Sequence, residues 1–172
     1  MVKSNIGLVY GGGNIGLMGE IAHTVDDGGV EVIGVIPEAL VDREVSGTTV
    51  GETIVVDSMH TRKATMASKA DGFVALPGGY GTLEELLEII TWQQLGYHAR
   101  PVGVLNVEGY YDPLLHMFDE MVRAGFLRQQ SRDIVLVSSD PAELLQKLRD
   151  YTAPPSVIEL AKQGKLDPMT RG

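Results

Sequence analysis

Five apolar runs constrain this chain more than any other feature: "IGLVY" at 6–10, "VEVIGVI" at 30–36, "GFVALP" at 72–77, "PVGVLNV" at 101–107 and "DIVLVS" at 133–138. Each is nearly continuous rather than alternating. A strand with one wet face alternates polar and apolar side chains, whereas a β-branched run that is apolar throughout reads as a strand covered on both faces of a parallel sheet. Helical patterns fall between the runs, at about 14–28, 58–70, 82–96, 111–124 and 140–150. Strand alternating with helix predicts an α/β fold built on a doubly wound parallel sheet. Two helix starts are marked, by Ser58 and by Asp140 followed by Pro141 at the first helical position. The segment 1–151 reads as one domain, and 152–172 as a polar, proline-broken surface tail with a short helix over 156–163.

Charge and composition narrow the function. A net charge of −9 excludes long nucleic acid as a natural partner, because that affinity rests on basic surface. An anionic ligand must then be small and met by local positive potential. No apolar run approaches the roughly 20 residues of a membrane-spanning helix. The opening stretch lacks the length and cleavage pattern of a secretory leader. With no cysteine there is neither a disulfide framework nor thiolate chemistry, which points to a reducing compartment, the cytoplasm. Four histidines without a ligand-spaced pair do not support a metal site.

Two glycine-rich junctions link a strand to a helix, where ligands of doubly wound, Rossmann-like sheets bind. The first, "VYGGGNIGLMG", places Gly11, Gly12 and Gly13 as a candidate phosphate loop, with Gly11, Gly13 and Gly16 fitting G-x-G-x-x-G. The second, "LPGGYGT", supplies Gly78, Gly79, Tyr80, Gly81 and Thr82. Glycine admits a ligand close to the backbone, and helix-start amides favour an anion. Close helix–sheet packing is the competing explanation for the first loop. A dinucleotide site is the weaker alternative, since Glu38, near the place of a ribose-binding acid, follows Pro37.

Thr82-Leu83-Glu84-Glu85 has the spacing of a capping box, in which Glu85 would only satisfy a backbone N–H. Next to a glycine cradle, the same carboxylate could face a sugar or a developing positive charge. In the helix that follows, Leu83, Leu86, Leu87, Ile90 and Gln94 trace the expected core stripe. Upstream, "SMHTRKATMASKA" carries Arg62 and Lys63, either as a solvated basic face or as partners for phosphate or ribose. In the solvated reading, Met59, Lys63, Met66 and Ala70 form the packed side, with Lys63 burying only its stem.

Together, "MHTRKATM" at 59–66 and "PGGYGTLEE" at 77–85 resemble the LONELY GUY family, cytokinin-activating phosphoribohydrolases once labelled lysine decarboxylases. The resemblance runs from about Ile6 to Tyr151 and takes in "GVIPEAL", "TWQQLGYH" and "PVGVLNVEGYYDPLL". It implies hydrolysis of the N-glycosidic bond of cytokinin riboside 5'-monophosphates, without metal or other cofactor. It also implies homodimers or larger assemblies with the active site at the dimer interface, in the cytoplasm and also the nucleus. The family's essential arginine and glutamate fall on Arg62 and Glu85. Its nucleotide contacts fall on Glu44, Lys63, Gly78, Gly79, Tyr80, Gly81, Thr82, Glu84 and Thr91. Family members begin with a further strand and helix ahead of "LVYGGG", so the chain is expected to be N-terminally shortened, with apolar sheet edges exposed. A general nucleoside 5'-monophosphate hydrolase and a non-catalytic nucleotide or molybdenum-cofactor carrier remain the alternatives. No lysine stands in a convincing Schiff-base context, which counts against a pyridoxal-dependent decarboxylase.

Overall fold

A computed structural model describes residues 1–45 and 48–165, with the side chains of Arg43 and Glu44 outside that description. The chain forms two compact units, Met1–Ala70 and a second from Asp71 onward.

The first unit runs β1 (Leu8–Tyr10), α1 (Gly16–Asp27), β2 (Val32–Pro37), α2 (Glu38–Glu44), β3 (Glu52–Val56) and α3 (Met59–Lys69). Its three strands pair in parallel in the order β1-β2-β3, with Tyr10 opposite Gly34 and Pro37 opposite Val56. All six residues of central β2 are buried, as its unbroken apolar run requires. Tyr10, Ala22, Val25, Val32 and Val50 form a core between α1 and the sheet, with Leu8 and Ile21 packed on it. Two elements of this unit have no counterpart in the sequence reading. Edge strand β3 has only three apolar residues and exposes Glu52 and Val55, so its strand character comes from the ladder with β2. Helix α2 is seven residues long, too short to display a period.

The second unit runs β4 (Phe73–Ala75), α4 (Tyr80–Leu95), β5 (Val102–Leu105), α5 (Asp112–Arg123), α6 (Gln129–Arg132), β6 (Val135–Ser138), α7 (Pro141–Arg149) and α8 (Val157–Lys162). Its strands are again parallel, in the order β4-β5-β6. Val102 and Val104 of central β5 are fully buried, and α7 lies so close that a Cβ on Gly103 would reach to 2.9 Å from Leu144 Cδ1. The parallel α/β class is therefore as expected, but hydrogen bonding divides the anticipated single sheet into two of three strands. β1 and β4 each pair on one side only. Among the described residues no helix is long and apolar enough to cross a membrane.

The described residues after Tyr151 are more than a surface appendage. Helix α8 packs on α4, Leu160 is buried, and Gln93 Nε2 donates to the Tyr151 hydroxyl. A full capping box starts α8: Ser156 Oγ accepts from Glu159 N at 3.2 Å, and Glu159 Oε2 accepts from Ser156 N at 2.7 Å. These bonds from the Ser156 backbone and hydroxyl hold the Glu159 carboxyl below its ordinary range. The similarly spaced Thr82 and Glu85 form no such box, because Gly79 is the N-cap of α4. Ser156→Ala should thus cost about 1 kcal/mol of local stability, read as faster amide exchange in α8, while Thr82→Ala leaves exchange in the first turn of α4 unchanged. Because the Glu159 pKa is depressed on folding, its contribution is present above the unfolded value of about 4.3. It is lost as pH falls through the lower folded value. Protection in α8 should fade over that acid range in the wild type and not in Glu159→Gln.

Candidate functional site

In the first unit the candidate residues gather at the carboxyl ends of β1 and β2. Ser58 caps α3 by accepting from Thr61 N at 3.1 Å, and Thr61 Oγ1 donates to Asp57 Oδ1 at 2.6 Å. The bond from Thr61, with one from Ser58, pulls the Asp57 carboxyl below its usual range. This fixed first turn sends Arg62 inward, where it is only 6% exposed. Its Nη2 donates to Gly11 O at 2.8 Å, its Nε to Val35 O at 3.1 Å, and its Nη1 lies 3.6 Å from Met59 Sδ. Lys63 is buried as well, on the same face as Ala67. The solvated basic face is thereby overturned: Met59 is exposed, and the packed side of α3 carries the arginine itself. A guanidinium keeps its charge when desolvated, so the ends of these two strands carry a fixed positive charge.

Close packing accounts for the first glycine loop. A Cβ on Gly11 would collide with Arg62 Nη2, and one on Gly12, whose φ is +80°, would lie 2.9 Å from Ile36 Cβ. Gly11, Gly12 and Gly13 are all buried. For Gly11 and Gly12, then, close packing is sufficient reason for glycine. Glu44 ends α2, and its side chain lies outside the described residues.

The second junction is built differently. Leu76 to Gly79 carry the chain from β4 into α4, whose first backbone bond runs from Leu83 N to Gly79 O at 3.1 Å. The N–H groups of Tyr80, Gly81 and Thr82 precede that bond and lack an intrahelical acceptor, and the N-cap, a glycine, has no side chain to offer them. Such a helix start is suited to an anion. Only Gly78 has a packing reason for its identity, since a Cβ there would strike the Thr82 side chain. At Gly79 and Gly81 a Cβ would meet nothing within 4 Å, and neither has a positive φ. The fold does not require glycine at those two positions, whereas a ligand lying on the backbone would.

Tyr80 is 93% exposed at the first position of α4. Glu85 lies six residues past the N-cap, beyond the first turn and half-buried, so the capping explanation for it fails. Glu84 and Thr91 share the exposed face about two turns apart, and Thr91 Oγ1 donates to Leu87 O at 2.7 Å. The buried stripe of α4 is Leu86, Ile89 and Gln93, which shares only Leu86 with the one expected, and Leu87 is 42% exposed. Among the described residues no cluster of three or more acidic or histidine side chains could hold a metal ion.

Two tyrosines that motif reading passed over support this junction. Tyr110 Oη donates to Gly78 O at 2.6 Å, and Tyr111 Oη donates to Leu76 O at 2.5 Å. Burial, with neighbouring Tyr110 adding to it, raises the Tyr111 phenol above its ordinary pKa, so it stays a neutral donor. The only trace of this in the sequence is the "GYYDP" stretch at the start of α5, where spacing marks a helix start and says nothing of a partner 32 or 35 residues back.

Comparison with known proteins agrees with the motifs. A family model described as "Possible lysine decarboxylase" matches residues 18–148, which include Arg62 and the whole second junction. A "Probable cytokinin riboside 5'-monophosphate phosphoribohydrolase" of Oryza sativa subsp. japonica is 57% identical over 152 residues, covering 88% of this chain and 62% of that protein. A cytokinin riboside 5'-monophosphate phosphoribohydrolase of Arabidopsis thaliana is 58% identical over 151 residues, covering 88% of this chain and 71% of that protein. A rice protein of the same description is 57% identical over 151 residues, with 62% of its length covered. The chain thus spans about three-fifths to seven-tenths of the length of these relatives. A match of this breadth and identity, carried through the arginine helix and the second glycine junction, places the chain in the family described as possible lysine decarboxylases, in its LONELY GUY branch.

Proposed function

We propose that this chain hydrolyses the N-glycosidic bond of a cytokinin riboside 5'-monophosphate, releasing the free cytokinin base and ribose 5-phosphate. The observation that carries this reading is the start of α4: a glycine N-cap followed by amides with no intrahelical acceptor, two glycines with open space above them, and a half-buried glutamate just beyond. The names of the relatives supply the substrate class.

In this reading the amides at Gly79–Thr82 take the 5'-phosphate. As the bond from the ribose C1' to the base nitrogen lengthens, positive charge builds on the ribosyl ring. The Glu85 carboxylate faces that charge and takes a proton from the attacking water. The water oxygen bonds to C1', the base departs with the bonding pair, one water proton stays on the new hydroxyl, and the other passes from Glu85 to the departing base. Arg62 supplies positive potential and holds Gly11, and Lys63, Glu84, Glu44 and Thr91 are further nucleotide contacts carried over from the family resemblance. Exposed apolar side chains in the second unit, Leu87 and Leu95 on α4 and Met117 and Met121 on α5, fit a subunit interface. They support a homodimer.

Incubation with isopentenyladenosine monophosphate should release free base detectable by chromatography. Absence of base would sink the reading, and equal kcat/KM on AMP would turn it into a general nucleotide hydrolase. Tight binding without turnover would favour a carrier. Glu85→Gln should lower kcat at least about a hundredfold with the unfolding midpoint unchanged. Arg62→Ala should lose activity and stability together, because it strands two buried carbonyls. Gly79→Ala and Gly81→Ala separate ligand from fold: each should keep the wild-type unfolding midpoint or raise it, yet raise KM for the nucleotide about tenfold or more, a loss of about 1.4 kcal/mol. Wild-type KM in both would remove the phosphate from this loop.

A further inference from the structure

We propose that Tyr110 is a positioning residue that sets the second glycine junction in its phosphate-receiving shape, an inference that rests on the reading of that junction as the 5'-phosphate site. Tyr111 is almost fully buried, and a buried phenol must find an acceptor somewhere, so its bond to Leu76 O follows from burial alone. Tyr110 is different. It is 52% exposed, and water could satisfy its hydroxyl, yet it reaches across the loop to Gly78 O at 2.6 Å.

The consequence lies in the peptide that this carbonyl belongs to. The Gly78–Gly79 unit is planar and trans, so an oxygen held by Tyr110 directs the Gly79 N–H to the opposite side. On the other flank of the same residue the Thr82 side chain occupies the place of a Cβ, so only glycine fits there. With that carbonyl held, the amide that follows is aimed before any anion arrives, which is preorganisation.

The tyrosine is itself held firmly. Residues Glu108 and Gly109, just before it, take φ values of +50° and +74° in succession. A non-glycine residue in that region persists only where its surroundings over-determine it. Asn106 does so here: its N–H donates to Ser138 O at 2.8 Å, its Oδ1 accepts from Tyr111 N at 2.7 Å, and its Nδ2 donates to Asp112 Oδ1 at 2.7 Å. Tyr110 and Tyr111 then meet edge to face, with centroids 5.2 Å apart at 88°. A network at the end of β5 therefore presents two phenols to alternate carbonyls of the loop.

Tyr110→Phe removes the hydroxyl and keeps the ring. With isopentenyladenosine monophosphate as substrate and ribose 5-phosphate as competitive inhibitor, the variant should raise KM and Ki together by about three- to tenfold, the worth of one hydrogen bond. The loss should fall mainly on KM, with the unfolding midpoint at the wild-type value. A merely structural tyrosine would instead lower the midpoint and kcat and leave Ki for ribose 5-phosphate alone. Wild-type KM and Ki in Tyr110→Phe would overturn the positioning role while the hydrolase reading stands. Failure of the wild-type protein to release base or bind ribose 5-phosphate would overturn both.

Discussion

Parallel pairing is the constraint on which everything else in this protein depends. In each unit the three strands point the same way, so every strand ends where the next helix begins. Helix-start amides with no internal acceptor collect at those ends together with the strand-end carbonyls. The polar backbone groups freed there must be satisfied by side chains, water or a ligand. The two junctions meet this requirement in opposite ways. At Gly11 and Val35 the protein supplies its own donor, the Arg62 guanidinium. At Gly79–Thr82 the N-cap is a glycine with no side chain to offer, and there is space above two glycines.

The division bears on how glycine-rich loops are read. Both junctions have the composition expected of a phosphate cradle, but glycine has a structural duty at Gly11, Gly12 and Gly78 and none at Gly79 or Gly81. The ligand argument therefore rests on the second loop, and the first becomes the scaffold around a buried charge. Burying a guanidinium is expensive unless its donors are engaged. Its engagement with two carbonyls, one just past β1 and one in β2, ties the arginine helix to both strands.

The second loop is in turn held from outside its own sequence neighbourhood. The turn after β5, with Asn106 at its centre, delivers Tyr110 and Tyr111 to carbonyls of the loop that follows β4. β4 and β5 are hydrogen-bonded neighbours, which brings these two strand-end segments side by side. Parallel topology thus lets one strand-end loop shape another.

By itself the sequence determined the parallel α/β class, the five principal strands, the spans of the main helices to within a few residues, and the family. These are carried by signals local to each segment: unbroken apolar runs, helical periods, caps such as Ser58 and Asp140, and contiguous motifs. Tertiary structure decided what those local signals leave open. Ser156 and Glu159 form a capping box, while Thr82 and Glu85, legible in the same way, do not, because the chain leaving β4 has already turned into helix at Gly79. Arg62 and Lys63 lie on the packed face of α3 because the carbonyl of Gly11, 51 residues away, and that of Val35, 27 away, receive the arginine. Strand β3 exists because β2 pairs with it, and Tyr110 matters because Gly78 lies within its reach. In each case the deciding partner is distant in sequence, and a hydrogen bond to a backbone carbonyl leaves no mark on the residue type that accepts it.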